Sequence, residues 1–248
     1  MEFSFFYHQG ITVPAKSTIV NKDLTPQERY LEKPFEGSSH TWALAFCESL
    51  PAETKVLDIG PGSGLMGRAL KSKGFSELYA VEIDEAAREH VNPIYKQVTE
   101  TITPYQGEQF DLVLLMDVLE HMVDPESFLR EVSQMVAPGG HILISLPNIC
   151  HWSIRLTLLF GRFEYTDRGI LDRTHLQFFS RKRFMTFLQN QPELHVHQVA
   201  GSLEPAEFVL PRIVWDNPVY GILTKMRLFF VELLPGLFAY QHLAILRK

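Results

Sequence analysis

Val56-Leu57-Asp58-Ile59-Gly60-Pro61-Gly62-Ser63-Gly64 joins a short apolar run to an acid and then to three glycines at alternate positions. An apolar pattern of helical period follows from Leu65. A buried parallel strand feeding a glycine-rich turn and a helix N-terminus has this form. Glycines lack Cβ, so the main chain can turn tightly and lie close to a ligand. The free N–H groups heading the helix then face a carboxylate or a phosphate. The stretch predicts a nucleotide-type cofactor site, and its flanks bear on which cofactor.

Two cofactors compete. Gly62, Gly64 and Gly67 fit the G-x-G-x-x-G spacing of a dinucleotide fold, a weak signal alone. Asp58, however, closes the first strand just before the glycines, where its charge would repel a pyrophosphate. S-adenosylmethionine carries an ammonium and a sulfonium, which an acid in that place attracts. Leu78-Tyr79-Ala80-Val81-Glu82 reads as a second strand ending in an acid. Glu82, 18 residues beyond Gly64, can accept hydrogen bonds from both ribose hydroxyls. Both cofactors share that second acid, so Asp58 discriminates between them.

A chain of 248 residues suits one large domain, or a domain with a cap. Hydrophobic residues make up 46% and phenylalanines number 18, enough for a packed core. A net charge of −6 without a long basic run argues against wholesale nucleic-acid binding. Cys47 and Cys150 have neither metal-finger spacing nor the density of a disulfide framework. Phe3-Ser4-Phe5-Phe6-Tyr7 lacks the basic lead and cleavage site of a signal peptide. Lys225, Arg227 and Glu232 interrupt the apolar stretch Val219 to Leu234, so no spanning helix is expected there. A cytoplasmic protein is the expectation.

Along the chain, residues 1–37 read as an N-terminal arm and 38–248 as the main domain. A helix capped by Ser38 or Ser39 runs to Leu50. Strands are expected at 55–59, 77–82, 97–102, 110–116 and 141–146. Helices are expected at about 65–73, 85–96 and 124–136, the last one stopped by Pro138-Gly139-Gly140. Helix 180–190, strand 194–200 and strand 241–246 follow. A lid over 148–175 and an insertion of short helices over 201–240 complete the chain. Alternation of this kind builds an α/β Rossmann-like, mostly parallel sheet with helices on both faces.

Four segments carry a resemblance to class I S-adenosylmethionine-dependent methyltransferases: VLDIGPGSG (56–64), AVEID (80–84), FDLVLLMDVLEHMVDP (110–125) and PGGHILISLPN (138–148). The later GRFEYTDRGILDRTHLQFFSRKRF (161–184) is similar to the methyltransferase type 23 subgroup, whose members occur in polysaccharide, quinone and other small-molecule pathways. The resemblance implies a seven-stranded sheet of order 3-2-1-4-5-7-6 with its last strand antiparallel. It implies S-adenosyl-L-methionine as cofactor and S-adenosyl-L-homocysteine as product. Asp58, Gly60, Pro61, Gly62 and Gly64 would form the methionine-end and ribose wall. Glu82 would hold the ribose, Ile83 would pack on adenine, and Met116 with Asp117 would border the methionine portion. Many relatives place an Asp after strand three for the adenine amine; here Thr99 and Glu100 occupy that region.

Methyl transfer needs an acceptor held about 3–3.5 Å from the activated methyl, and a base if the acceptor is a hydroxyl. Ligands of open parallel sheets lie beyond the carboxyl ends of the strands. Asp117 and His175 are therefore the catalytic candidates, although His175 could equally anchor a lid by bonding backbone. Asp117, Glu120 and His121, joined by His175, also form a ligand set for a divalent ion. This set is similar to the E-x-x-E-H site of ubiquinone-pathway O-methyltransferases and to that of small-RNA 2′-O-methyltransferases. Here the first Glu is replaced by Asp, and capping of the following loop is the plainer role. The expected acceptor is a small molecule or a glycan- or lipid-linked group, methylated on oxygen. A dinucleotide-dependent oxidoreductase and a non-catalytic methyltransferase-fold partner are the alternatives. The aromatic residues of 201–240 could form an acceptor wall, a homodimer face or a surface touching a membrane.

Overall fold

Leu112–Leu115 and Ile142–Leu143–Ile144 are fully buried, because both faces of the strands that carry them are covered by helices. That is why they read as continuous apolar runs instead of alternating ones. The computed structural model describes residues 35–205 and 217–248. It places β1 (Val56–Ile59), β2 (Leu78–Val81), β3 (Gln97–Thr99), β4 (Phe110–Met116), β5 (Val136–Pro147), β6 (His195–Gly201) and β7 (Gln241–Arg247) in one sheet. The order is β3-β2-β1-β4-β5-β7-β6. Strands β1 to β5 pair in parallel, and β7 runs antiparallel between β5 and β6. This is the seven-stranded architecture expected above.

Helices α1 (Ser39–Cys47), α2 (Leu65–Ser72), α3 (Glu85–Val91), α4 (Pro125–Gln134), α5 (Trp152–Leu159), α6 (Arg181–Gln189) and α7 (Pro218–Leu233) connect the strands. Their starts follow the capping chemistry of the sequence. Ser38, Asp84, Asp124 and Ser180 each accept a backbone N–H of the first turn. One core lies between the sheet and the face carrying α4 and α6, including Phe110, Leu129, Phe179 and Phe184. A second includes Ala43, Cys47, Leu70 and Val91 of α1, α2 and α3.

Helix α1 stops at Cys47 and not at Leu50, and β3 at Thr99 and not at residue 102. Three larger departures follow. Helix α3 ends at Val91 and not near Lys96: Asn92 keeps helical angles, but Pro93 has no N–H to give to the carbonyl four residues back, so the ladder stops. Strand β5 begins at Val136, so Pro138-Gly139-Gly140 lies inside it and not before it. The pairing with β4 shifts register between Phe110 and Leu112, which absorbs that irregular stretch. The insertion is not only short helices: α7 runs for 16 residues, followed by a single turn at Pro235–Phe238. Most of the 1–37 arm, and residues 206–216 of the insertion, lie outside the described residues.

Helix α7 buries Leu228 and Val231 against Leu203 and Ala239, with Phe35 packed alongside. Its other face exposes Val219, Ile222, Met226, Phe229 and Leu233. Among the described residues, no helix is long and apolar enough to cross a membrane.

Candidate active site

The turn from β1 to α2 depends on glycine. Gly60, Gly62 and Gly64 have φ of 70°, 53° and 77°, a left-handed conformation that costs other residues about 1–2 kcal/mol. At Gly64 a Cβ would also approach Ile94 Cδ1 to 2.5 Å. Gly64→Ala should therefore lower stability by about 1–3 kcal/mol, read as a shift of the denaturation midpoint. A variant as stable as the parent would contradict this account of the turn. At Gly62 a Cβ would meet nothing within 4 Å, so the turn borders open space there. Pro61 closes the turn through its carbonyl, which accepts the Gly64 N–H at 2.8 Å. Gly64 caps α2 without a side-chain partner, leaving first-turn N–H groups unengaged by any cap.

Glu82 leaves β2 and reaches back to the turn. Its Oε2 accepts the Gly62 N–H at 3.1 Å, and its Oε1 accepts the Asp84 N–H at 3.0 Å. A carboxylate oxygen has room for two donors, so both keep capacity for ribose hydroxyls. Ile83, next in sequence, is 80% exposed beside this turn, an apolar surface free to take a flat base. Thr99 Oγ1 donates to Thr101 O, and Glu100 is exposed, so neither is committed to the turn.

Asp58 is only 3% exposed, and its Oδ2 accepts the Tyr95 hydroxyl at 2.6 Å. Burial, and to a smaller degree the Glu82 charge, push its carboxyl up to about 7, against a lowering by the Tyr95 bond. In the folded chain Asp58 thus keeps its proton at pH values where the unfolded chain has lost it. Stability falls as pH rises from about 4 to about 7, by on the order of 4 kcal/mol in total. Cofactor-free Asp58→Asn should melt above the parent at about pH 8, the gap narrowing towards about pH 4. A gap independent of pH would refute the assignment.

At the end of β4, Met116 is 9% exposed and Asp117 adopts a φ of 57°, the one non-glycine in the left-handed region among the described residues. Polar contacts hold that strained geometry. Asp117 Oδ1 accepts Ser145 Oγ at 2.7 Å, and Gln241 Nε2 donates to Oδ1 at 2.5 Å and to Oδ2 at 2.7 Å. Gln241 is held in turn by Ser202, whose hydroxyl lies 3.1 Å from Gln241 Oε1 and accepts its N–H. These donors fix the Asp117 carboxyl in position at the end of β4.

A second cluster lies beyond β4. Glu120, His121 and His175 bring one ligand atom each within 4.8 Å of one another. Asp117 is not among them, since its carboxylate turns to Ser145 and Gln241. Glu120 is 1% exposed and neither carboxylate oxygen has a hydrogen-bond partner. Burial, then the Asp117 charge, raise its carboxyl well above the usual range. His175 Nδ1 lies 3.2 Å from Ile170 O, and His121 Nδ1 lies 3.2 Å from Thr174 O. A carbonyl can only accept, so each Nδ1 is the donor and Nε2 is the atom each ring has left to offer a ligand. His175 Nε2 stands 3.9 Å from Glu120 Oε1, too far for a hydrogen bond. Burial lowers the pKa of His175, which keeps it neutral. Two imidazole lone pairs and an unpartnered carboxylate fit a divalent ion.

The lid is tied to this cluster through main chain. The N–H groups of Leu176 and Gln177 donate to Glu120 O at 2.8 and 2.9 Å. Asp172 accepts the Thr174 N–H and hydroxyl, which shapes the turn that delivers His175. Outside that turn, residues 155–169 are exposed throughout, Phe160 and Phe163 included. The aromatic residues of the lid therefore do not pack as core.

Sequence reasoning missed Tyr95, Ser145, Gln241 and His151. His151 is buried after β5, held near 4 by burial, with Nδ1 on Ser153 Oγ and Nε2 without a partner. A histidine in the first turn after a parallel strand was a signal that could have found it.

A methyltransferase-domain family model matches residues 32–191. The chain belongs to this family. The methyltransferase domain is similar to the ubiquinone biosynthesis O-methyltransferase of Pseudomonas fluorescens, at 36% identity over 107 residues. That match covers 39% of this chain and 46% of the relative. The corresponding enzyme of Acinetobacter baylyi is 32% identical over 108 residues, covering 39% of this chain and 45% of the relative. The matches thus span about half the length of these relatives. Among solved structures, a SAM-dependent methyltransferase of Archaeoglobus fulgidus superimposes with a TM-score of 0.56 at 16% identity, covering 86% of this chain and 95% of that one. Magnesium protoporphyrin IX methyltransferase of Synechocystis, solved with bound SAH, gives 0.54 at 14% identity, with 84% and 80% covered. At these identities the superpositions speak for the fold, which is that of SAM-dependent methyltransferases.

Proposed function

We propose that this methyltransferase domain moves the methyl group of S-adenosylmethionine to a hydroxyl oxygen of a small-molecule or glycan-like acceptor. The observation that carries the cofactor reading is the Glu82–Gly62 clamp. It places a carboxylate with spare acceptor capacity against a left-handed glycine turn that borders open space. Asp58 supplies negative potential beneath the methionine end, Ile83 the apolar surface for adenine, and Met116 with Asp117 the far wall. Names of the relatives favour oxygen as acceptor atom. Calorimetric titration should show binding of S-adenosylhomocysteine and none of NAD; binding of NAD instead would replace this reading with the oxidoreductase.

Glu120, His121 and His175 would hold a divalent ion, which when bound lowers the pKa of an acceptor hydroxyl. With an ion bound the His175 Nε2 lone pair is engaged; only in an ion-free site would that same Nε2 be the base that takes up the acceptor proton. Asp117, fixed by Gln241 and Ser145, orients the methionine portion and not the metal. Prolonged dialysis against chelator should remove transfer activity, with recovery on adding magnesium or manganese. Full activity after dialysis would exclude the ion and leave His175 as a base alone.

A further inference from the structure

We propose that Tyr95 is a positioning residue for the cofactor: its hydroxyl holds the Asp58 carboxylate in its ionised, cation-accepting form beneath the glycine turn. The proposal rests on the assignment of that turn as the S-adenosylmethionine site.

The geometry begins with Pro93. By ending α3 early, it lets Ile94 and Tyr95 fold back over α2, where Lys71 Nζ donates to Pro93 O at 3.0 Å and steadies the turn. Tyr95, 6% exposed, then drives its ring between α2 and β1 to reach Asp58 Oδ2 at 2.6 Å. Space for it is made by Gly67, where a Cβ would lie 2.3 Å from the hydroxyl and 2.4 Å from Cζ. Gly67 is the third glycine of the apparent dinucleotide pattern. In this chain it serves the phenol, not a pyrophosphate.

The groups that face this pair come from every neighbouring element. Glu82 of β2 raises the Asp58 carboxyl, and the Cys47 thiol of α1, pushed up to about 12, stays neutral. Arg68 of α2 faces Tyr95, and its Nη2 is buried without a partner. Burial and the Asp58 charge hold the Tyr95 hydroxyl protonated, so it can only donate to the carboxylate. That is the largest opposing influence on a carboxyl that burial otherwise drives towards its neutral form. A neutral Asp58 would offer no charge to an ammonium or sulfonium.

The test is calorimetric titration of S-adenosylhomocysteine into parent, Tyr95→Phe and Asp58→Asn proteins between about pH 6 and about pH 8.5. The parent should bind more weakly as pH falls through about 7, releasing a proton on binding near that midpoint, seen in buffers of different ionisation enthalpy. Tyr95→Phe should move the midpoint up by about one pH unit, weakening affinity about fivefold at pH 7, close to tenfold near pH 6 and far less at the alkaline end. A Tyr95→Phe profile that superimposes on the parent, or that is weakened equally at all pH values, would overturn the proposal. Asp58→Asn should bind weakly with no midpoint. If it bound like the parent, the cofactor-site reading itself would fail, which the Tyr95→Phe result alone cannot mimic. Circular dichroism of each variant confirms that the comparison is between folded proteins.

Discussion

Glu120→Gln should abolish methyl transfer while raising the melting temperature of the metal-free protein. Removing one ligand charge from a three-residue site should cut turnover by about 100-fold or more, since mutating groups around a metal commonly costs 10–100-fold even one layer out. Stability should move the other way. Glu120 is almost completely buried and its carboxyl is raised well above the usual range, so folding makes it hold a proton that the unfolded chain has lost near neutral pH. Glutamine needs no such proton, so the variant should gain stability as pH rises above about 4, less the cost of its own unpartnered amide. The lid bonds need not change, because Leu176 and Gln177 donate to the Glu120 main-chain carbonyl. Loss of both activity and stability would mark Glu120 as an anchor of the fold. Retention of activity would remove the metal reading.

Glu82→Ala should weaken S-adenosylhomocysteine binding by about 10- to 100-fold, equivalent to about 1–3 kcal/mol of lost charge-assisted hydrogen bonds. The carboxylate does two things at once. It holds Gly62 and Asp84 in place through their N–H groups, and in the proposed site it would offer acceptors to the ribose. Glu82→Gln keeps one amide oxygen for these donors and should therefore fall between parent and Glu82→Ala. An unchanged dissociation constant for Glu82→Ala would contradict the site.

Much of this was legible because it is local. Strand ends, helix caps and the glycine turn follow from residues within a few positions of one another, as with Ser38, Asp84 and Asp124. Helix α3 shows the limit even there: a helix expected to about residue 96 stops at Val91, and Pro93 beyond it frees Tyr95 to reach Asp58. The β5 start was obscured in the same way, since glycine and proline read as a stop and here form an irregular strand.

From the chain alone came the glycine turn proposed to hold the cofactor, the acids Asp58 and Glu82 beside it, the α/β class and the residues of the Glu120–His121–His175 cluster. These depend on short-range spacing and on burial periodicity, which a linear pattern records. Only the tertiary structure decided which carboxylates are free to act. Asp117 and Glu120 look equivalent in sequence, three residues apart on one loop. Ser145 from β5 and Gln241 from the antiparallel β7, 124 residues away, bond the first and leave the second bare. Tyr95 likewise reaches Asp58 across 37 residues. Charge state and accessibility are set by partners brought together through chain folding, and no spacing along the chain encodes them.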